Sequence, residues 1–273
     1  MRRIAWVTDP HLDHALPEAI ERFRKEIAAA SPDALLVTGD IAESVRLLAS
    51  LDELRSMVDG PFWFCLGNHD FYYDSIARVR DSVREWAAKR EAVYLTDGER
   101  IDLGRDWGLI GHDGWADGRT PDFVRSLVFM HDARLIADLA GKDRQTRWDL
   151  MKELADESAR SLGAGLESAF ERFRSMLIAT HVPPFRGACW YDGRISDDHW
   201  APHFTNVALG ERLAETARRF PSRDSTVLCG HTHGSGRFVA EPNLTVITGP
   251  AEYGRPFLTR LIDLGAANPL GES

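Results

Sequence analysis

The stretch FWFCLGNHDFYY, residues 62–73, ends an apolar run in an amide, an imidazole and a carboxylate: Asn68, His69 and Asp70. Gly67 and Asn68 alone would signal an ordinary turn. The ending recurs along the chain, however. Ile4–Val7 runs into Thr8-Asp9-Pro10-His11, and Leu35–Val37 into Thr38-Gly39-Asp40. Leu177–Ala179 runs into Thr180-His181, and Val227–Cys229 into Gly230-His231-Thr232-His233. In open α/β sheets the functional crevice lies outside the carboxyl ends of the strands, so five such endings converge on one place. Carboxylate, imidazole and amide oxygen together suit divalent metals of intermediate hardness. Asp9, His11, Asp40, Asn68, His181, His231 and His233 are too many for one tetrahedral ion. They suit two adjacent ions sharing one carboxylate. Two ions about 3.5–4 Å apart form a clamp for in-line displacement at phosphorus. The set contains no thiolate, which argues against a structural zinc site.

The elements that position these residues are legible in outline. Strands are expected at Ile4–Thr8, Ala34–Thr38 and Phe62–Leu66, alternating with helices at Leu16–Ala30, Val45–Val58 and Ile76–Arg90. Such alternation indicates βαβ units and a parallel sheet. Short strands follow at Ile101–Leu103 and Gly108–Gly111. About residues 117–174 the chain turns charged and helical, which reads as a helical insertion or cap. Strands return at Met176–Thr180, Thr226–Cys229, Leu244–Thr248 and Leu258–Asp263, with a helix at Val207–Phe220. We expect one domain over 1–265 and a loose tail over 266–273.

Composition excludes several classes. A chain of 273 residues with 44% hydrophobic and 27% charged residues is that of a globular domain, and no apolar run approaches a membrane span. The N-terminal apolar run meets Thr8-Asp9 too early for a signal peptide. A net charge of −9 argues against a nucleic-acid surface, although a local basic groove would revive a nuclease. Three widely spaced cysteines, without a CxxC pair, indicate a reduced, cytoplasmic protein. Cys65 and Cys229 read as core residues, whereas Cys189 falls in a loop where a thiol could react.

The motifs Asp9-x-His11, Gly39-Asp40-x-x-Glu43, Gly67-Asn68-His69-Asp70, His181 and Gly230-His231-x-His233, in that order, resemble those of the calcineurin-like metallophosphoesterases. The resemblance spans residues 4–233 and omits the helical segment and the loop after His181. It implies an α/β fold, a four-layer α/β/β/α sandwich, with a dinuclear centre at the sheet edge. By position Asp9, His11 and His233 would hold one ion, Asn68, His181 and His231 the other, and Asp40 would bridge. The ions would be two divalent metals such as manganese, iron, zinc or cobalt. His69 would be the catalytic histidine beside them. The family often has Asp where Glu43 stands, so Glu43 and Asp70 are rival partners for orienting His69. Asp70 has a second reading as the cap of the next helix.

The function expected is a metal-dependent phosphoesterase acting on a small-molecule or nucleotide phosphodiester by attack of a metal-bridging hydroxide. Phosphomonoesterase and nuclease are the enzyme alternatives, and a non-enzymatic metal-binding scaffold is a fourth reading. Candidate substrate contacts come from three stretches. His112 and Trp115 lie in GHDGWADG, residues 111–118. Arg186, Trp190 and Tyr191 lie in the long loop after His181, a kind of segment often given to function. Tyr253 lies in GPAEYGRPF, residues 249–257.

Overall fold

Strands β1 (Arg3–Val7), β2 (Ala34–Thr38) and β3 (Phe62–Cys65) are buried on both faces, and their side chains divide by alternation. Ala5, Val7, Leu35, Val37, Phe62 and Phe64 face outward into one core. Ile4, Trp6, Ala34, Leu36 and Trp63 face inward into another. The outer core is completed by α1 (Pro17–Ala30), α2 (Ser44–Arg55) and α3 (Ile76–Arg90), through Phe23, Ile27, Leu51, Val83 and Trp86. The structure, a computed structural model, describes residues 3–266 and 269–270.

β4 (Ala92–Tyr94) extends the parallel series β1–β2–β3. A second sheet is built from β5 (Ile101–Gly104), β6 (Trp107–His112), β7 (Ser175–Thr180), β10 (Asp224–Cys229), β11 (Gly236–Glu241) and β12 (Leu244–Thr248), in the order β11-β12-β10-β7-β6-β5. Its four central strands are parallel. The inward residues Leu109, Leu177, Ala179, Leu228 and Ile247 meet those of the first sheet. The outward residues Ile110, Met176, Ile178, Val227 and Val246 are covered by α5 (Arg144–Ala169) and α7 (Val207–Arg219). The result is the four-layer α/β/β/α sandwich. β13 (Arg260–Asp263) closes it, antiparallel to β1. Side chains cap the helices at the turns: Ser75, Asp143 and Asn206 accept from the N–H groups of Arg78, Thr146 and Leu209.

The segment about 117–174 is not one insertion. α5 is the crossover between the parallel strands β6 and β7, and its Leu162, Leu166 and Ala169 belong to the outer core of the second sheet. Residues 113–143, between β6 and α5, carry the single-turn α4 (Asp132–Leu135) and seat Ile136 and Leu139 in the first core. The loop after His181 is also more ordered than its composition suggests. It holds a hairpin, β8 (Trp190–Tyr191) with β9 (Arg194–Ile195), and the single-turn α6 (Ala201–Phe204).

Cys189 is fully buried, with its Sγ 3.1 Å from the Phe204 carbonyl, and burial pushes its thiol up to about 12. It is therefore a core thiol like Cys65 and Cys229, not a reactive one. Of the tail, residues 267–268 and 271–273 lie outside the described residues. The Pro269 carbonyl accepts from the Asp263 N–H, which ties that part back to β13. Among the described residues no helix is long and apolar enough to cross a membrane.

Candidate metal centre

The parallel strands of both sheets point their carboxyl ends at one edge, and the turns that follow are forced into unusual backbone. Asp9, His11, Asp40, His231 and His233 all have positive φ, between 39° and 68°. Non-glycine residues rarely occupy this region unless the surroundings over-determine it, and they cluster at functional sites. The turns hold one another in place. The Asp9 N–H donates to the Gly39 carbonyl, the His11 N–H to Asp40, and the Gly230 N–H to His181. Gly67 allows closer approach than any side chain would, because a Cβ there would sit 2.2 Å from Asp40 Oδ1.

Two groups of potential ligand atoms result, each within 4.8 Å of one another: Asp9, His11, Asp40 and His233, and Asp40, His181 and His231. Asp40 is common to both. Its Oδ2 lies 3.3 Å from His181 Nε2 and 3.8 Å from His11 Nε2. His11 Nε2 and His233 Nε2 face each other at 3.2 Å, and Asp9 Oδ1 is 3.6 Å from His233 Nε2. In the second group His181 Nε2 lies 3.2 Å from His231 Nδ1 and 3.3 Å from Asn68 Oδ1. Electron-pair donors facing one another at such distances, in a buried place, are what two cations would reconcile.

Neighbouring groups fix which atom each ligand presents. His181 Nδ1 donates to the Thr38 carbonyl at 2.9 Å, which leaves Nε2 toward the centre. His231 Nε2 donates to the His203 carbonyl at 2.9 Å, which leaves Nδ1 inward. Asp132, from α4, accepts the Asn68 Nδ2–H at 2.9 Å and so turns the amide oxygen inward. Thr8 Oγ1 and the His231 N–H both donate to Asp9.

Charge follows the same division. Burial holds His11 well below the usual imidazole range, and burial with His181 beside it pushes His231 down to about 3. Both are thus neutral, as ligands must be. Burial opposes a charge on His181 too, yet the Asp40 and Asp9 carboxylates raise it to about 10. A proton there plays the part a metal cation would play between the two buried carboxylates.

His69 stands beside both groups. Its ring stacks on Tyr72 at 4.4 Å and meets His11 edge-on at 4.9 Å. His69 Nδ1 is buried with no hydrogen-bond partner among the described residues. The expectation that Asp70 orients it, or caps the next helix, is corrected here. The Asp70 carboxylate accepts the backbone N–H groups of Gly67, Ile41 and Ala42 at 2.7–2.9 Å, clamping the turns after β2 and β3 together. Glu43 lines a surface recess with His69, His14 and Tyr253 without bonding His69, and its own N–H donates to Asp13.

The candidate substrate contacts divide. Tyr253 joins the centre, its ring 4.4 Å from His11 and 5.0 Å from His233. It lines the cleft over the donors with Tyr191, Trp200 and Phe204. Trp190, one residue from Tyr191 in β8, points the other way, onto Gly236. Arg186 pairs with Asp198 on the surface instead of meeting the cleft. His112 is buried behind the centre and accepts from the Gly114 N–H at 3.1 Å, so it too is displaced from a substrate role. In GHDGWADG the residue that serves the site is the neighbour, Asp113. It accepts from the Leu66 N–H, Arg80, Tyr94 and Thr96, and its carbonyl takes the His181 N–H.

Comparison with known proteins agrees with this geometry. The model of the calcineurin-like phosphoesterase family matches residues 2–235. A phosphopantetheinyl hydrolase from Mycobacterium tuberculosis shares the fold at a TM-score of 0.61 and 16% identity, over 92% of this chain and 90% of that one. A dimetal phosphatase from Danio rerio does so at a TM-score of 0.59 and 15% identity, over 92% and 87%. No curated protein matches the sequence. By the family match over most of its length, the chain belongs to the calcineurin-like phosphoesterases, hydrolases of phosphoric ester bonds.

Proposed function

We propose that this chain is a two-metal phosphodiesterase acting on a small phosphodiester. The observation that carries the reading is the pair of ligand groups sharing Asp40. Asp9, His11 and His233 would hold one divalent ion, Asn68, His181 and His231 the other, and Asp40 both. Such ions, when bound, supply an acidified water as nucleophile and positive charge at the phosphoryl oxygens.

The remaining steps fall to the protein. With Nδ1 buried, His69 has Nε2 to hand a proton to the leaving oxygen or to steady the phosphoryl group. Tyr191, Trp200, Phe204 and Tyr253 wall the cleft with aromatic surface. The described lining of the cleft contains no lysine or arginine. That favours a diester, which carries one negative charge and two substituents, over a dianionic monoester. We place the protein in the cytoplasm, because its three buried, unpaired thiols suit a reducing compartment.

The test is hydrolysis of bis-p-nitrophenyl phosphate against p-nitrophenyl phosphate by manganese-reconstituted protein. A kcat/KM at least tenfold higher on the diester is expected. A preference for the monoester would overturn the diester reading.

A further inference from the structure

We propose that a largely apolar recess beside the metal centre, the chamber, is a subsite for a short apolar substituent of the phosphate ester, an alkyl or aryl group carried on a phosphoryl oxygen. The proposal rests on the phosphoesterase reading and adds the substrate class to it.

The chamber adjoins the catalytic cleft, and Asn68, Met130 and His231 form the wall common to both. Two of these are the inward-facing donors of the second ligand group, so whatever fills the chamber lies against that half of the centre. Trp115, Phe123, Leu139 and Met151 supply apolar wall. The charged and polar groups in the lining each have a partner in the protein. Asp132 accepts from Asn68 and Tyr72, and His203 Nε2 lies 3.0 Å from Ser126 Oγ. The Arg144 guanidinium donates to the Phe123 and Ser126 carbonyls, and that of Arg147 to the Lys142 carbonyl. The apolar part of the wall offers the hydroxyls of a sugar no partner, at a cost of roughly tenfold in affinity for each hydroxyl left unpaired. An alkyl or aryl group needs no partner.

Size narrows the class further. About 50 Å³ of the chamber admits the centre of a water-sized sphere. That space suits a short substituent and not a long chain. Burying a methylene is worth about fourfold in affinity.

The experiment is calorimetric titration of manganese-reconstituted protein with n-alkylphosphonates from methyl to octyl, anions that cannot be hydrolysed. Kd is expected to fall by up to about fourfold per methylene as far as butyl, and then to level. Val128 also lines the chamber, and Val128→Trp, which fills it, should remove the increments and leave methylphosphonate binding as it was. Met151→Ala should carry the increments to longer chains. A Kd that is flat, or rises, along the wild-type series while methylphosphonate binds would overturn the chamber proposal and leave the phosphoesterase reading standing. Failure of every phosphonate, methyl included, to bind the metal-loaded protein would count against the phosphoesterase reading itself.

Discussion

His69 and the seven ligand-type residues ask different things of their neighbours, and substitution separates them. If His69 protonates the leaving oxygen, its worth depends on how basic that oxygen is. A nitrophenolate departs readily as an anion, whereas an alkoxide needs the proton in the transition state. His69→Ala should keep its metals, lose little on nitrophenyl esters and lose about 10²–10⁴-fold on alkyl esters. Equal losses along a leaving-group series would show that the histidine acts only through charge. Asp132 acts at one remove, by turning the Asn68 amide. Asp132→Ala should weaken metal binding by about 10–100-fold, read as metal affinity by competition with a chelator. An unchanged affinity would remove Asp132 from the site.

At this scale the ligand set was legible because each member follows an apolar strand in an aspartate, asparagine or histidine. Asp132 was not, since a carboxylate arriving from 64 residues beyond Asn68 leaves no local pattern. The Thr38 and His203 carbonyls that set the imidazole tautomers leave none at all, because every residue has one. Asp70 shows the converse: its neighbours in sequence suggest a helix cap, while its partners Ile41 and Ala42 come from another turn.

The elements contribute through the turns at the strand ends. Gly67→Ala tests this directly. The added Cβ would lie 2.2 Å from Asp40 Oδ1, 2.5 Å from the Asp40 backbone nitrogen and 2.7 Å from His181 Nε2. Contacts this short with backbone and with a carboxylate common to both groups cannot be relieved locally. Metal affinity should fall at least tenfold while circular dichroism reports an intact fold. Gly165→Ala, whose Cβ would approach only Ile110, at 3.9 Å, should change neither.

The helices over the outer face of the first sheet read well because large residues mark their buried faces. α5 did not, and the cause is physical. It buries Ala155, Ser158, Ala159, Gly163 and Ala169 beside Leu162 and Leu166, so close packing against α7 and β6 replaces bulk. Small residues carry little hydrophobic signal, and a charged helix with such a stripe looks like a surface insertion. β11 escaped for a related reason, as an edge strand with no fully buried residue.

Across the whole molecule the centre joins the two sheets. The turns after β1, β2 and β3 bring Asp9, His11, Asp40 and Asn68, and those after β7 and β10 bring His181, His231 and His233. Metal held by both halves binds the folded chain and not the unfolded one. Free metal at a hundred times its Kd should add about 2.7 kcal/mol per site to folding stability, seen as a rise in Tm that a chelator reverses. The four layers were implied by the family resemblance alone, because strands buried on both faces read as plain apolar runs and do not show which face meets which core.

One buried carboxylate, Asp40, belongs to both ligand groups and would serve two ions at once. The most direct measurement is the metal content of reconstituted protein by elemental analysis, alongside activity. We predict close to two equivalents per chain at full activity, and loss of both from Asp40→Ala. A single saturating equivalent with full activity would contradict the account.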